Sequence, residues 1–225
     1  MHISHDYETL YTEVYKVLGL NYQEFQESVQ KALLSLKIDG VKNKSILDIG
    51  CGDGATLAPL VNEGFTNLTG IDTNDEMLEK ARTRFEKTAK ILKINATDLS
   101  QFKTKEFFAV VSSMCIHNIP RQGRKNFFAE LKRLQPQVFI DCDKITNEDA
   151  QKHIEAYERE TQAIIEVYKN RHNMPEAARY WLDHFIVDEK EALTMSEIKN
   201  ELGDEYDISV FFEKGMCKTV LAVRK

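Results

Sequence analysis

The sequence predicts an α/β fold in which a parallel sheet carries helices on both faces and closes with an antiparallel hairpin. Three observations carry that expectation. Short β-like runs alternate with helical patterns at intervals of roughly 20 to 25 residues, the rhythm of βαβ crossovers. One β-run leads directly into three crowded glycines, Gly50, Gly52 and Gly54, ahead of a helical segment. The last stretch, YDISVFFEKGMCKTVLAVRK, holds two alternating runs around Glu213-Lys214-Gly215, the pattern of a hairpin.

The elements follow in order. Tyr7, Leu10, Tyr11, Val14, Val17 and Leu18 recur at helical spacing and stop at Gly19, a suitable left-handed terminator. A second helix carries Tyr22, Phe25, Val29, Ala32, Leu33 and Leu36. The β-like runs are Ser45 to Ile49, Leu68 to Ile71, Ile91 to Ile94, Phe107 to Ser112 and Val138 to Asp141. Between them, Met77, Leu78, Ala81 and Phe85 mark a helix that the capping-box pattern Thr73-x-x-Glu76 starts just after Asp72. Phe127, Phe128, Leu131 and Leu134 mark another, closed by Pro136. From about Asn147 the rhythm breaks. Ile154, Tyr157, Ile164, Ile165 and Tyr168 define a long amphipathic helix, Pro175 opens the next, and Thr194 or Ser196 begins a third. The expected organisation is therefore one domain over residues 1–225, with a helical segment at 1–40, a core at 44–143, a helical insertion at 147–205 and the hairpin at 206–225.

Length and composition agree. A chain of 225 residues, 42% hydrophobic and 29% charged, suits one large domain or a core with an insertion, and excludes disordered and fibrous classes. No apolar run approaches the ~18 residues of a membrane span, and MHISHDYETL lacks the basic and apolar regions of a leader. A cytoplasmic chain with no membrane partner is expected. Cys51, Cys115, Cys142 and Cys217 are scattered, which points to buried thiols in a reducing compartment and to neither a disulfide framework nor a zinc site. The net charge of −6 is uneven, since residues 147–205 hold 15 acidic against 7 basic side chains. The one short basic cluster, Arg121, Arg124, Lys125, Lys132 and Arg133, is thin for a nucleic-acid surface, so no nucleic-acid partner is expected.

The stretch SILDIGCGDGATL bears on function. Glycines at this density let the backbone turn tightly and approach a ligand, at the strand end where open α/β sheets bind one. Gly50, Gly52 and Ala55 also satisfy the dinucleotide pattern G-x-G-x-x-G/A, so spacing alone leaves the ligand open. Asp48 puts a carboxylate where a cationic amino group fits and a pyrophosphate is repelled. Asp72 closes the second strand, placed for ribose hydroxyls, as in NAD sites, or for a helix N-terminus. The hairpin is foreign to the dinucleotide plan. Together these features favour S-adenosylmethionine.

These residues resemble the class I, Rossmann-like S-adenosylmethionine-dependent methyltransferases. LDIGCGDG, with Asp48, Gly50, Cys51, Gly52 and Gly54, is similar to their first motif, and GIDTNDEMLEKA to their second. The resemblance implies that Asp72 and Thr73 meet the ribose and Met77 lines the adenine. INATDLS resembles the third motif, with Asn95 in place of the usual acid; Ala96 follows, and either Asn95 or Asp98 contacts the adenine amino group. FFAVVSSMCIHNIP, which contains Ser113, resembles the fourth, keeping Ile116-His117 with Asn118 where a second His often stands. The resemblance implies a seven-stranded mixed sheet of order 3-2-1-4-5-7-6, S-adenosylmethionine as cofactor and S-adenosylhomocysteine as product.

Methyl transfer from a sulfonium is an in-line displacement, so the protein mostly orients and desolvates, and a base is needed only when the acceptor holds a proton. His117 is the candidate base, or else caps the turn before Pro120. Arg121 and Arg124 are placed to attract an acceptor's carboxylate or phosphate, or form a solvated helix start. Tyr7, Tyr11 and Tyr15 form one helical stripe, a lid or a core face. Tyr180, Trp181 and His184 lie in the insertion, where this family commonly places substrate-binding elements; His172 and His184 are too isolated for a metal site, and none is expected. The expected activity is methylation of a small molecule. The rival readings are a nucleic-acid or protein acceptor, an NAD-dependent oxidoreductase, and a binding module without turnover.

Overall fold

The computed structural model describes residues 5–146, 149–190 and 192–225; the side chains of residues 5–9, 11, 184, 185 and 187–190 fall outside that description. Strands β1 (Ile46–Ile49), β2 (Leu68–Asp72), β3 (Ala89–Lys93), β4 (Ala109–Ser113) and β5 (Val138–Thr146) pair in parallel in the order β3-β2-β1-β4-β5. Strand β6 (Leu193–Thr194) adds two residues beside the end of β5. Strands β7 (Tyr206–Lys214) and β8 (Cys217–Arg224) form the hairpin, with β8 antiparallel to β5 and β7 at the edge. The long strands thus follow the order expected from the resemblance, and β6 makes an eighth strand too short to show a period.

Burial explains each strand's composition. β1 and β4 are buried along their whole length, as strands covered on both faces must be, and therefore read as continuous apolar runs. β3 lies at the sheet's edge, is only half-buried, and begins two residues ahead of the run Ile91 to Ile94.

The helices fall into three layers. On one face, α2 (Tyr22–Ser35), α3 (Leu57–Glu63) and α4 (Asp75–Phe85) bury Phe25, Val29, Leu33, Leu60, Leu78 and Phe85 against Ile46, Val111 and Ile140. On the other, α5 (Arg121–Leu134) and α8 (Met195–Leu202) bury Phe127, Phe128, Leu131, Ile198 and Leu202 against Leu47, Val110 and Phe139. The alternation Ile46/Leu47, Val111/Val110 and Ile140/Phe139 between the two cores is the period-2 pleat. The third layer joins α1 (His5–Val17) to α6 (Ala150–Ile164), its π-helical continuation Ile165–Arg171, and α7 (Pro175–Lys190), through Val14, Ile164, Val167, Tyr168 and Ala178. No described helix is long and apolar enough to cross a membrane.

Several boundaries differ from expectation: β5 runs on past Asp141 to Thr146, and β4 starts at Ala109 and not at Phe107. Asn74, not Thr73, caps α4, its Oδ1 accepting from the N–H groups of Glu76 and Met77 at 3.0 and 3.2 Å. The cause is Asp72, whose Oδ1 accepts from Thr73 and Asn74 N–H at 2.7 and 2.8 Å and defers the first helical residue by one position. The long helix begun by the Asp149 cap turns π-helical at Ile165 instead of remaining a regular α-helix.

Candidate functional site

β1 ends at Ile49, and the chain reverses through Gly50, whose φ of +69° lies in the left-handed region. A Cβ there would stand 2.2 Å from Cys115 Sγ, so the approach of the β1 and β4 loops also demands glycine. Gly52, with φ +52°, would meet nothing within 4 Å and leaves open space above the turn. Asp72 Oδ2 accepts the Gly52 N–H at 2.9 Å, lashing the turn to the end of β2. With Thr73 and Asn74 on Oδ1, three N–H donors occupy a carboxylate that offers about four acceptor sites. One remains for a ligand hydroxyl.

These ends frame a cleft of about 290 Å³ at the carboxyl edge of β1 to β4, where the chain order reverses between β1 and β4 and such sheets bind ligands. Five residues expected from the sequence line it: Gly50, Asp72, Thr73, Asn95 and Ala96. Ile71, Ile94, Met114, Cys115, Asn118 and Ile119 complete the wall. Ile71 and Ile94 end two of the expected β-runs, Met114 lies beyond the run expected to stop at Ser112, and Cys115, expected as a buried thiol, is half-buried at the cleft. Between Asn95 and Asp98, it is Asn95 that faces the cleft wall. Its Oδ1 already accepts from Thr97 N–H and Oγ1, both at 3.0 Å, which leaves its amide N–H groups as hydrogen-bonding capacity. Asp98 is exposed, outside the wall, and held below its usual pKa by Ser100. Cys51, Gly52, Gly54, Met77 and Ser113 also lie outside the wall, Met77 half-buried in the first turn of α4 and Ser113 buried at the end of β4.

Asp48 departs from its expected place. It is fully buried, no described residue hydrogen-bonds either carboxylate oxygen, and it is not part of the wall. Burial first, then the charge of Asp72, pushes its pKa well above the usual carboxylate range. Orphaned buried oxygens beside a glycine turn fit a group that brings its own cationic donor. On this ground, with the free acceptor site of Asp72, the residues fit S-adenosylmethionine.

His117, the expected base, is buried in a 3₁₀ turn (Ile116–Asn118) that follows β4 and, unlike Met114, Cys115, Asn118 and Ile119 around it, is not part of the cleft wall. Its Nδ1 bonds Asp143 Oδ1, and its backbone N–H donates to Asp143 Oδ2 at 3.1 Å. Asp143 is fully buried on β5 and also accepts the Lys144 N–H at 2.7 Å. Sequence reading missed it. The signal was an alternation in IDCD, two acids on one face of the strand's buried stretch; Asp141, the other, has its pKa pushed well up by burial and then by Asp143.

The expected acceptor residues are not gathered into one place. Arg124 is fully buried and pairs through NH1 with Glu197 Oε2 at 3.1 Å, so it joins α5 to α8 instead of meeting a ligand. Arg121 is exposed at the start of α5. Tyr15 is buried with its ring centroid 5.5 Å from Tyr22 and 5.7 Å from Phe25, which makes it a core residue and not a lid face. Tyr180 packs edge-on against Trp181, and Trp181 leans on Tyr168 in the third layer. The side chains of Tyr7, Tyr11 and His184 lie outside the described residues.

A glycine turn pinned by a strand-end acid opens on a carboxyl-edge cleft in a parallel sheet with a closing hairpin, a place where open α/β sheets bind ligands. Comparison agrees: residues 46–136 match the family described as a methyltransferase domain. A putative methyltransferase of Geobacillus sp. (strain WCH70) is 35% identical over 97 residues, 42% of this chain and 37% of that relative. The chain spans less than two thirds of the length of each curated relative it matches. Among solved structures, a protein of Pyrococcus horikoshii OT3 superposes over 100% of both chains with TM-score 0.64 at 16% identity. Magnesium protoporphyrin IX methyltransferase of Synechocystis PCC 6803, solved with bound S-adenosylmethionine, gives 0.60 at 15% identity, covering 99% of this chain and 92% of that one. Residues 46–136 are thus similar to a methyltransferase domain, and the whole chain shares its fold with solved methyltransferases, one of them bound to S-adenosylmethionine.

Proposed function

We propose that the protein methylates a small-molecule acceptor, releasing S-adenosylhomocysteine. The observation that carries this is the cleft at the β1/β4 switch, with Asp72 and Asn95 in its wall and with Met114, Cys115, Asn118 and Ile119, the residues around His117, completing it. When bound, S-adenosylmethionine supplies a methyl group already activated on a sulfonium. Asp72 and Thr73 would hold the ribose, Asn95 the adenine, and Asp48 the amino group. The apolar wall of Ile71, Ile94 and Ile119 excludes water, so that the acceptor is held in line about 3 Å from the methyl.

A small acceptor is favoured by the charge of residues 147–205, which would repel a phosphate backbone. Structural neighbours named for magnesium protoporphyrin IX and for plantazolicin support the same class. A zebrafish relative, 40% identical over 55 residues, is named for a protein lysine and stands for the rival acceptor. Four free thiols suit a cytoplasmic setting.

The test is a thermal shift with S-adenosylhomocysteine against NAD. At 100 times its Kd a ligand stabilises by about 2.7 kcal/mol, several degrees for a domain of this size. A shift with S-adenosylhomocysteine and none with NAD is expected, and Asp72→Ala should abolish it; the reverse preference would end the methyltransferase reading. Screening acceptors by release of S-adenosylhomocysteine then separates small molecules from protein and nucleic acid, and separates an enzyme from a silent binder.

A further inference from the structure

The way Asp143 grips His117 speaks to which acceptors the site can use. Asp143 is fully buried on β5, and a buried carboxylate is costly unless hydrogen-bonded. Here it accepts from the ring Nδ1 and backbone N–H of His117 and from the Lys144 N–H. Accepting at Nδ1 selects the tautomer with its proton there, which leaves Nε2 as the nitrogen with a free lone pair. No hydrogen bond engages Nε2 among the described residues, and His117 retains 7% exposure. The second bond, to the backbone N–H, fixes the turn itself, so ring and main chain are set by one carboxylate. A histidine that only capped the turn would need neither.

Placement adds the rest. Met114 and Cys115 before His117, and Asn118 and Ile119 after it, all line the cleft. Asp72, Thr73 and Asn95 occupy the β2–β3 end, whereas Asp143 stands on β5, beyond β4. With the nucleoside at the first end, the turn that carries His117 flanks the end left for an acceptor, and His117 itself stands just behind the wall with 7% exposure.

We propose that Asp143 is a positioning residue that presents Nε2 of His117 as a proton acceptor, and that the methyl acceptor is therefore one whose attacking atom carries a proton at neutral pH, a hydroxyl or an N–H. This rests on the methyl-transfer reading above. The acceptor's lone pair forms the bond to the methyl carbon as the carbon–sulfur bond breaks, its electron pair staying on the sulfur. The acceptor's proton passes to Nε2, and the imidazolium, stabilised by Asp143, later returns it to water. A carboxylate, a thiolate or a tertiary amine would need none of this.

Carbethoxylation by diethyl pyrocarbonate, which requires a reachable unprotonated imidazole nitrogen, tests the proposal on the full chain without a known acceptor. Peptide mass spectrometry should find His117 modified at pH 7, slowed at least fivefold by saturating S-adenosylhomocysteine. In Asp143→Asn the rate should fall tenfold or more while the thermal shift with S-adenosylhomocysteine persists. Should Asp143→Asn fail to fold, the wild-type reaction and its protection decide alone. An unreactive His117 in a protein that shows the shift, or equal rates in wild type and Asp143→Asn, would overturn the proposal; absence of the shift in wild type would instead defeat the methyltransferase reading. In the acceptor screen, turnover confined to carboxylates or tertiary amines also overturns it.

Discussion

At the scale of single residues, the site is arranged around two buried acids in different conditions. Asp143 is satisfied by three donors, whereas Asp48 has none among the described residues and has its pKa driven well up. For an acid whose folded pKa is raised above the unfolded value of about 3.9, the associated stability is intact below that value and drains away as pH rises toward the folded pKa. Each pH unit in that window costs wild type about 1.4 kcal/mol from this group. Asp48→Asn, which cannot ionise, should therefore gain on wild type as pH rises from 4 to 7, as read from urea midpoints; parallel curves would show Asp48 ionised in the folded state. The same acid predicts that cofactor binding releases a proton, since an ammonium beside it favours the carboxylate. Calorimetry of S-adenosylhomocysteine binding in two buffers of different ionisation enthalpy should give heats that differ accordingly. Glycines divide in a similar way. Gly50→Ala meets Cys115 in addition to its positive φ, while Gly52→Ala meets open space and bears only the backbone strain of roughly 1 to 2 kcal/mol. By denaturation, the first should lose clearly more stability than the second.

At the scale of elements, local chemistry decided boundaries and long-range pairing decided roles. The capping-box spacing Thr73-x-x-Glu76 pointed to the right helix and the wrong cap, because the acid one residue earlier commands the Thr73 and Asn74 N–H groups. Asn74→Ala should cost about 1 kcal/mol and Thr73→Ala much less, measured by thermal melting without ligand. Arg124 shows what a one-dimensional pattern cannot hold. Its neighbours Arg121 and Lys125 are exposed, yet it is fully buried because Glu197, 73 residues away, comes to meet it from α8. Removing one partner from a buried pair leaves the other charge stranded. Glu197→Ala should thus destabilise by about 3 kcal/mol, and a loss under 1 kcal/mol in a chemical melt would mean that solvent already screens the pair.

At the scale of the whole molecule, the strand order and the cleft were legible because period-2 runs and a glycine turn are local signals, and a carboxyl-edge ligand site follows from topology alone. What lay beyond reading was the third layer. Tyr15 and Trp181 looked like two independent covers for an acceptor, but α1 and the 150–190 segment pack on each other, and no local pattern records which of two amphipathic helices becomes the other's partner. Among the described residues, that layer rests on a cluster of seven buried side chains, against twenty-two in each core that clasps the sheet. Opening free energy falls with the apolar contact that must be broken. Amides of α6 and α7 should accordingly exchange with solvent through a local opening well below the global unfolding energy, while those of β1, β4 and β5 exchange only with it. Native-state hydrogen exchange at increasing denaturant resolves the two. A merged exchange isotherm for α7 and β5 would mean that the helical layer and the sheet unfold as one body, and an acceptor would then have to enter through a rigid opening.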